Sequence, residues 1–454
     1  MPEAAELLPI FRRWLPASVV EQLIHETKRK FYCRVLPPLL VLWGFIFQRL
    51  NHDHSCDAAW SYLTSDGVRE VWQPTKPRAT VSESTSGYCQ ARQRLPVGAA
   101  QGVLRYTVQA LQAELGDAAL WHGRRVNLLD GSTLLLNATT ELMEHYGSAS
   151  HQHGPSHWPI MRLVAGFDLF SGVATEVAEG SYRTSEHALA VAVLRVMGAE
   201  YVHVGDRNFG VYHILQVATA KQSDVVMRLK ITQAKRLAPT GLRPGLDEEV
   251  TWGPSVFDTC EPDLPTPAVP GRLIYARLER NGFRPVDVYL FTTLLDRDAF
   301  SVSDILALYG ERWNVELDLR HVKTTLDMER LDGKSVDLVR KELYLGLTAY
   351  NLLRGLMGIA ALQAQRSPLE LSLAQCWRRT VDACRGLPLN ASSDDIVKVL
   401  NRLLERLGRC VLPKRKRERF EPRAVWGRPR VFPTIKGSRE QARQAWLQQL
   451  KVKS

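Results

Sequence analysis

Apolar residues recur at the three-to-four-residue spacing of a helix through much of the first 120 positions, notably over 18–31, 38–50 and 98–115. A polar stretch at 74–96, with Lys76, Arg78, Arg92 and Arg94, separates the second of these runs from the third. The pattern then changes. A short β-like run over 125–129 ends at Asp130, and two more, 161–167 and 173–179, flank Asp168-Leu-Phe-Ser-Gly172 as a hairpin. Helical spacing over 185–197, with Ser185 as N-cap, precedes an apolar strand at 201–205 that ends at Asp206. A helix at 209–222 and a strand at 225–229 complete the order β, β-hairpin, α, β, α, β. That order predicts an α/β fold, a mixed sheet with helices packed on it. From 231 to about 297 the chain is Pro-rich and then β-like, with strands at 272–278 and 286–293. A long helix is expected over 301–331, opened by a capping-box pattern at Ser301 and Asp304. An apolar helix over 336–364 and a shorter one near 394–407 follow.

Five regions result: 1–120, helical and a candidate DNA-binding region; 121–230, the first part of an α/β core; 231–300, a β insertion; 301–370, the rest of the core; and 371–454, helical with a basic tail. The apolar share of 45% and charged share of 24% are those of a globular protein, so wholesale disorder and a coiled-coil rod are excluded. The longest apolar run, 35–47, contains Pro37 and Pro38 and is too short to span a bilayer, so no membrane partner is expected. Glu3 and Glu6 stand where a secretory signal would carry basic residues. Seven cysteines without a CxxC pair read as reduced thiols of a cytosolic protein. The net charge of +11 is concentrated: residues 411–454 hold thirteen basic and three acidic side chains, centred on Lys414-Arg-Lys-Arg417. Such a tail is either a solvated arm or one that binds a polyanion such as DNA.

Asp130 and Asp206 each end an apolar strand and precede small or polar residues, a placement suited to the rim of a sheet. Strand-end aspartates also serve as turn formers and caps. A third acid lies in Tyr309-Gly-Glu-Arg312-Trp-Asn-Val-Glu316-Leu-Asp-Leu-Arg-His-Val-Lys323. At about 100° per residue, Tyr309, Arg312, Glu316 and Lys323 share roughly 60° of helix surface, with Arg320 at its edge. Glu311 and Asp318 point roughly 140–160° away from Glu316. One acid among several cations is a poor pairing pattern for a salt-bridged surface and a good one for gripping phosphate. Three carboxylates at a sheet rim suit hard divalent cations, and a pair of such ions about 4 Å apart supports phosphodiester displacement.

With those residues in place, the chain resembles the DDE transposases of the bacterial insertion-sequence group marked by a Tyr-x2-Arg-x3-Glu-x6-Lys signature. Tyr309, Arg312, Glu316 and Lys323 match that signature in full, and Asp130-Gly-Ser and Asp206-Arg-Asn-Phe resemble the family's two aspartate regions. The similarity extends over most of residues 80–365. It implies an RNase H-like mixed sheet with a β-strand insertion, flanked by helical N- and C-terminal regions. It further implies that Asp130, Asp206 and Glu316 bind two Mg2+ or Mn2+ ions. Tyr309, Arg312 and Lys323 would then contact DNA phosphates, Tyr309 as a ligand and not a nucleophile. The implied activity is metal-dependent endonucleolytic cleavage at terminal inverted repeats and 3′-OH strand transfer into target DNA. A homodimer on double-stranded DNA is implied, in the bacterial cytoplasm at the nucleoid. In relatives the insertion can supply an aromatic that stacks on a flipped base; Trp252, Tyr289 and Phe291 are the candidates here, each of which reads first as buried core.

Other clusters carry less. His52, His54 and Cys56, and likewise His151, His153 and His157, lack zinc-finger spacing. Asp247-Glu-Glu249 reads as a solvated loop and Asp394-Asp395 as a helix start. Asp168 borders the sheet but is accounted for by its hairpin. An inactive DNA-binding regulator derived from a transposase, and a metal-dependent nuclease without strand transfer, are the rival functions. The helix-face assignment predicts that Glu316→Gln abolishes cleavage and keeps DNA binding, whereas Asp318→Asn changes neither much. Gel-shift and cleavage assays on the two variants check it.

Overall fold

Strand β1 (Arg125–Leu135) alternates sharply in what it packs against. Val126, Leu128 and Leu134 enter one hydrophobic core, while Leu129 enters the other, as the two-residue period of a strand buried on both faces requires. The computed structural model describes residues 8–28, 36–65, 84–151, 154–278, 286–388 and 391–413, with scattered positions from 438 to 448. Nearly all of these belong to one compact unit. The second unit, 279–286 and 414–454, holds the basic tail and lies almost wholly outside the described residues, as do Lys76 and Arg78.

Strands β2 (Ile160–Asp168) and β3 (Ala174–Gly180) continue β1 as an antiparallel meander. Strands β4 (Tyr201–Gly205) and β5 (Asp224–Arg228) run parallel to β1 on its other side. The order β3-β2-β1-β4-β5 is the RNase H-like arrangement. Strands β6 (Leu246–Trp252), β7 (Val269–Leu278) and β8 (Val286–Thr292) extend the same sheet to eight, in the order β5-β8-β7-β6. Helices α7 (Glu186–Leu194) and α8 (Tyr212–Ala220) make the parallel crossovers and pack on one face.

The helical flanks cover the other face. Helices α1 (Ala17–Glu26), α2 (Pro38–Leu50), α3 (Cys56–Leu63), α4 (Ser86–Arg94) and α5 (Val97–Leu115) come before the sheet. A short helix, α6 (Thr140–Tyr146), follows β1, and α9 (Ile231–Leu237) follows β5. After the sheet come α10 (Val302–Gly310), α11 (Trp313–Arg320), α12 (Val336–Gln363), α13 (Leu373–Gly386) and α14 (Ser393–Gly408). The 28-residue α12 is long and apolar enough to cross a membrane, yet 94% of its most apolar stretch is buried inside the protein. Its Asn351 bonds both backbone groups of Ala174, covering the edge strand β3. Arg92, grouped by sequence with a DNA-binding stretch, is buried instead: it lies over the Phe45 ring and pairs with Glu342 of α12 at 2.6 Å.

Several expectations need correction. Strand β1 does not stop at Asp130: antiparallel pairing with β2 runs on to Leu135↔Ile160, supplying hydrogen bonds past the end of β4. The expected helix over 301–331 is broken, although the Ser301–Asp304 capping box that opens it is present. Glycine at position 310, a weak helix former, closes α10, and three-residue bonds join it to α11. A π-helical turn (His321–Thr325) ends the segment. Asp247-Glu-Glu249 is not a loop but part of edge strand β6, because buried Arg272 on β7 grips Asp247 with two bonds of 2.9–3.0 Å and Arg297 adds a third. Trp252, Tyr289 and Phe291 are all buried in the core of the extended sheet, so none is free to stack on a base.

Asp318 faces away from Glu316, as expected, but into the core and not into solvent. It accepts a bond from the Tyr350 hydroxyl at 2.9 Å and lies 3.5 Å from the Arg354 guanidinium, both on α12. Gly172 of the β2–β3 turn, at φ +68°, leaves room for Arg354 where any side chain would collide. The expected neutrality of Asp318→Asn is therefore withdrawn. Losing the charge leaves Asp168 as the remaining acid acting on Arg354 and should cost about 3 kcal/mol, read as a lower urea midpoint. An unchanged midpoint would show that the network does not hold α11.

Candidate active site

Parallel pairing fixes the first half of the site. Leu128 of β1 is in register with Val204 of β4. Two residues further along each chain stand Asp130, still on β1, and Asp206, just past the end of β4 at Gly205, so the two acids come at the same end of neighbouring strands. Asp130 shares a pleat direction with Val126 and Leu128, which with Val202 and Val204 of β4 face the core beneath α11 and α12. Helix α11 is seated on that same face by Val315 and Leu319, and this brings Glu316 over the sheet's rim.

Asp130, Gly131, Ser132, Glu316, Leu319, Arg320, Lys323, Thr324 and Glu329 line an open cleft of about 370 Å³. Burial pushes the Asp130 carboxyl up to about 6; Asp206 and Glu316 raise it further, while the Gly131 N–H and Arg312 oppose the rise. Arg312 donates to Glu316 Oε1 at 3.1 Å. Its own pKa is raised: burial works against the charge, but Glu316, Tyr309 and Asp130 outweigh it. Lys323, carried on the π turn, reaches the Ser132 hydroxyl at 3.5 Å. Tyr309 is half-buried against the core, and neither it nor Arg312 nor Asp206 lines the cleft, although Arg312 and Asp206 both act electrostatically on Asp130.

Each aspartate is steadied by its own chain. Asp130 Oδ1 accepts from the Gly131 N–H at 2.9 Å, and Asp206 Oδ1 from the Asn208 N–H at 2.7 Å. Among the described residues no three acids, histidines or cysteines already converge as a ligand cage. The donor chemistry nonetheless fits a divalent cation: three carboxylates gathered near one rim, one with its ionised form penalised by burial and by the acids beside it. Sequence reasoning brought together Asp130, Asp206, Glu316, Arg312 and Lys323. It passed over Ser132, although a strand carries residue i+2 on the face of residue i. It also passed over Glu186, whose carboxylate accepts from the Asn208 side chain at 2.6 Å.

The remaining clusters bind nothing evident. His54 Nδ1 lies 2.9 Å from the Gln48 carbonyl and His52 packs edge-on against Trp377. His157 stands edge-on to its neighbour Trp158, and the side chains of His151 and His153 lie outside the described residues. Asp168 pairs with Asn127 in the β1–β2 register, three residues before Asp130, and accepts from Ser171 in its turn, as expected.

Sheet order and rim carboxylates define the RNase H-like class of nucleic-acid enzymes. Residues 121–352, just over half of the chain, match the transposase DDE domain, and the chain belongs to that family of divalent-metal enzymes. The transposase InsG of insertion sequence element IS4 from Escherichia coli K12 is 26% identical over 362 residues, 77% of this chain and 78% of that protein. The putative transposase InsZ of the same strain is 28% identical over 221 residues, 46% of this chain and 65% of its own length. Among solved structures, a piggyBac transposase synaptic complex with hairpin DNA aligns at 9% identity and a TM-score of 0.41, covering 91% of this chain and 87% of that one.

The raised Asp130 carboxyl has a definite sign. The folded state disfavours its ionised form, so its contribution to stability is present below the ordinary carboxylate range and lost as pH rises through about 6. In metal-free protein at pH 7.5, Asp130→Asn should raise stability by about 1 kcal/mol and flatten the loss between pH 4 and 7. Thermal melts across that range check it; a destabilised variant would contradict the electrostatic account.

Proposed function

We propose that the chain is the transposase of a bacterial insertion sequence. It binds terminal inverted repeats, cleaves one DNA strand at each end and joins the freed 3′-hydroxyl to a second phosphodiester. The observation that carries this reading is the register that sets Asp130 beside Asp206, with Glu316 brought over the same face by α11.

Asp130, Asp206 and Glu316 would hold two Mg2+ or Mn2+ ions, whose charge would serve to activate the attacking oxygen and stabilise the leaving one. The protein's own groups do the rest. Lys323 and Arg312 contact the phosphates flanking the scissile bond, Lys323 as a point charge and Arg312 through its planar fork. Arg312 turns from Glu316 toward DNA as the carboxylate takes up its ligand role. Tyr309, seated beside Arg312, donates its hydroxyl to a phosphate oxygen. In the first step water attacks phosphorus, and the bond to the 3′-oxygen breaks to leave a 3′-hydroxyl and a 5′-phosphate. In the second, that hydroxyl attacks a phosphodiester of the opposite strand, closing a hairpin, or of target DNA, and the bond from the attacked phosphorus to its own 3′-oxygen breaks to release a new 3′-hydroxyl. No step requires a covalent bond between protein and DNA.

The enzyme acts as a homodimer on paired ends, in the cytoplasm where its DNA lies, and the basic tail adds sequence-independent affinity that falls as salt rises. A regulator that only bound DNA would have no use for three carboxylates arranged on one rim.

Purified protein, Mg2+ and DNA carrying the inverted repeats that flank its own gene should give cuts at the repeat ends and joined products. Asp206→Asn should give neither, with a loss of at least 10³-fold on the order expected when a reaction's charge stabilisation is removed. Binding to those ends without cleavage, in either metal, would overturn the enzyme in favour of the regulator. Cuts without joined products would leave a nuclease.

A further inference from the structure

We propose that Glu186 is a positioning residue that locks the Asp130 and Asp206 segments together from the face opposite the cleft. The inference rests on reading those aspartates as metal ligands. Glu186 opens α7, with Ser185 before it as N-cap. A carboxylate in a helix's first turn ordinarily needs no explanation beyond the dipole. Here the side chain is committed elsewhere.

Gly131 follows Asp130 on β1, so a side chain there would point to the opposite face. That space is filled by the Glu186 carboxylate: a Cβ on Gly131 would lie 2.9 Å from its Cδ and 3.1–3.2 Å from its oxygens. The same carboxylate accepts from Asn208 Nδ2 at 2.6 Å. Asn208 in turn donates its backbone N–H to Asp206 Oδ1 at 2.7 Å. The next residue of the helix, His187, places Nε2 2.6 Å from the Asn208 carbonyl oxygen. Asn208 is thus held at its side chain and its carbonyl by the first turn of α7, while its N–H orients one aspartate. The carboxylate doing the holding rests against the backbone of the residue after the other.

The arrangement explains a glycine in the middle of a strand, where a β-branched residue would otherwise be favoured. It also places the control of the Asp206 loop outside the cleft.

The test is Mn2+ binding to DNA-free protein, followed by the electron paramagnetic resonance signal of the free ion, with melting temperature measured in parallel. Glu186→Gln keeps an acceptor for Asn208 and should bind Mn2+ within about 3-fold of wild type. Glu186→Ala should bind about 10-fold more weakly, the usual cost of losing a group that orients a ligand. Gly131→Ala, which displaces the carboxylate without removing it, should match Glu186→Ala. All three should melt within a few degrees of wild type. Equal loss in Glu186→Gln and Glu186→Ala would overturn the positioning role in favour of direct action by the charge. No loss in any variant, against clear loss in Asp206→Asn, would overturn the inference and leave the metal site standing. Wild type that binds no Mn2+ would overturn the metal reading itself, and this inference with it.

Discussion

The structure depends on the parallel register between β1 and β4. A slip of one residue would send every side chain of one strand to the other face, exchanging the contents of the two cores and carrying the strand-end carboxylate away from α11. Because Val126, Leu128, Val202 and Val204 all commit to one core, the register is fixed by the hydrophobic pattern well below the rim. Asp130 and Asp206 follow as its continuation. The chemistry is then imposed by packing, which holds two like charges close together where neither would settle unaided. The Asp130 carboxyl is raised mainly by the burial this packing imposes, with the neighbouring acids adding to it.

The third carboxylate arrives by a different route. Glu316 stands on a helix of eight residues, too short to hold its position by its own hydrogen bonds. Its apolar face, through Val315 and Leu319, and its buried anion, Asp318, dock it against the sheet and against α12. Two carboxylates two residues apart on one helix thus do opposite work: Glu316 faces the cleft, and Asp318 anchors the helix that carries it. Arg354 ties this anchor to the turn between β2 and β3, where it packs against Gly172.

Much of this was legible in the sequence. The alternation of apolar runs predicted the β-hairpin and the crossover helices, and the spacing from Tyr309 to Lys323 selected Glu316 over Glu311 and Asp318 as the site acid. What escaped has a common cause: the outcome was decided by a partner distant in sequence. Asp130-Gly-Ser looks like the end of a strand until β2 is there to pair with it. Asp247-Glu-Glu249 looks solvated until Arg272 is brought alongside. Arg92 reads as a surface cation, and only Glu342, 250 residues away, makes its burial possible. Glu186 was hidden for the same reason, since its partner is a missing side chain at Gly131.

The most direct test of the central claim is a crystal of the protein soaked in Mn2+ and measured at the manganese absorption edge. The account predicts anomalous peaks among Asp130, Asp206 and Glu316, two of them about 4 Å apart once a DNA end is bound. Peaks elsewhere in the molecule, or none at this rim at saturating Mn2+, would contradict it.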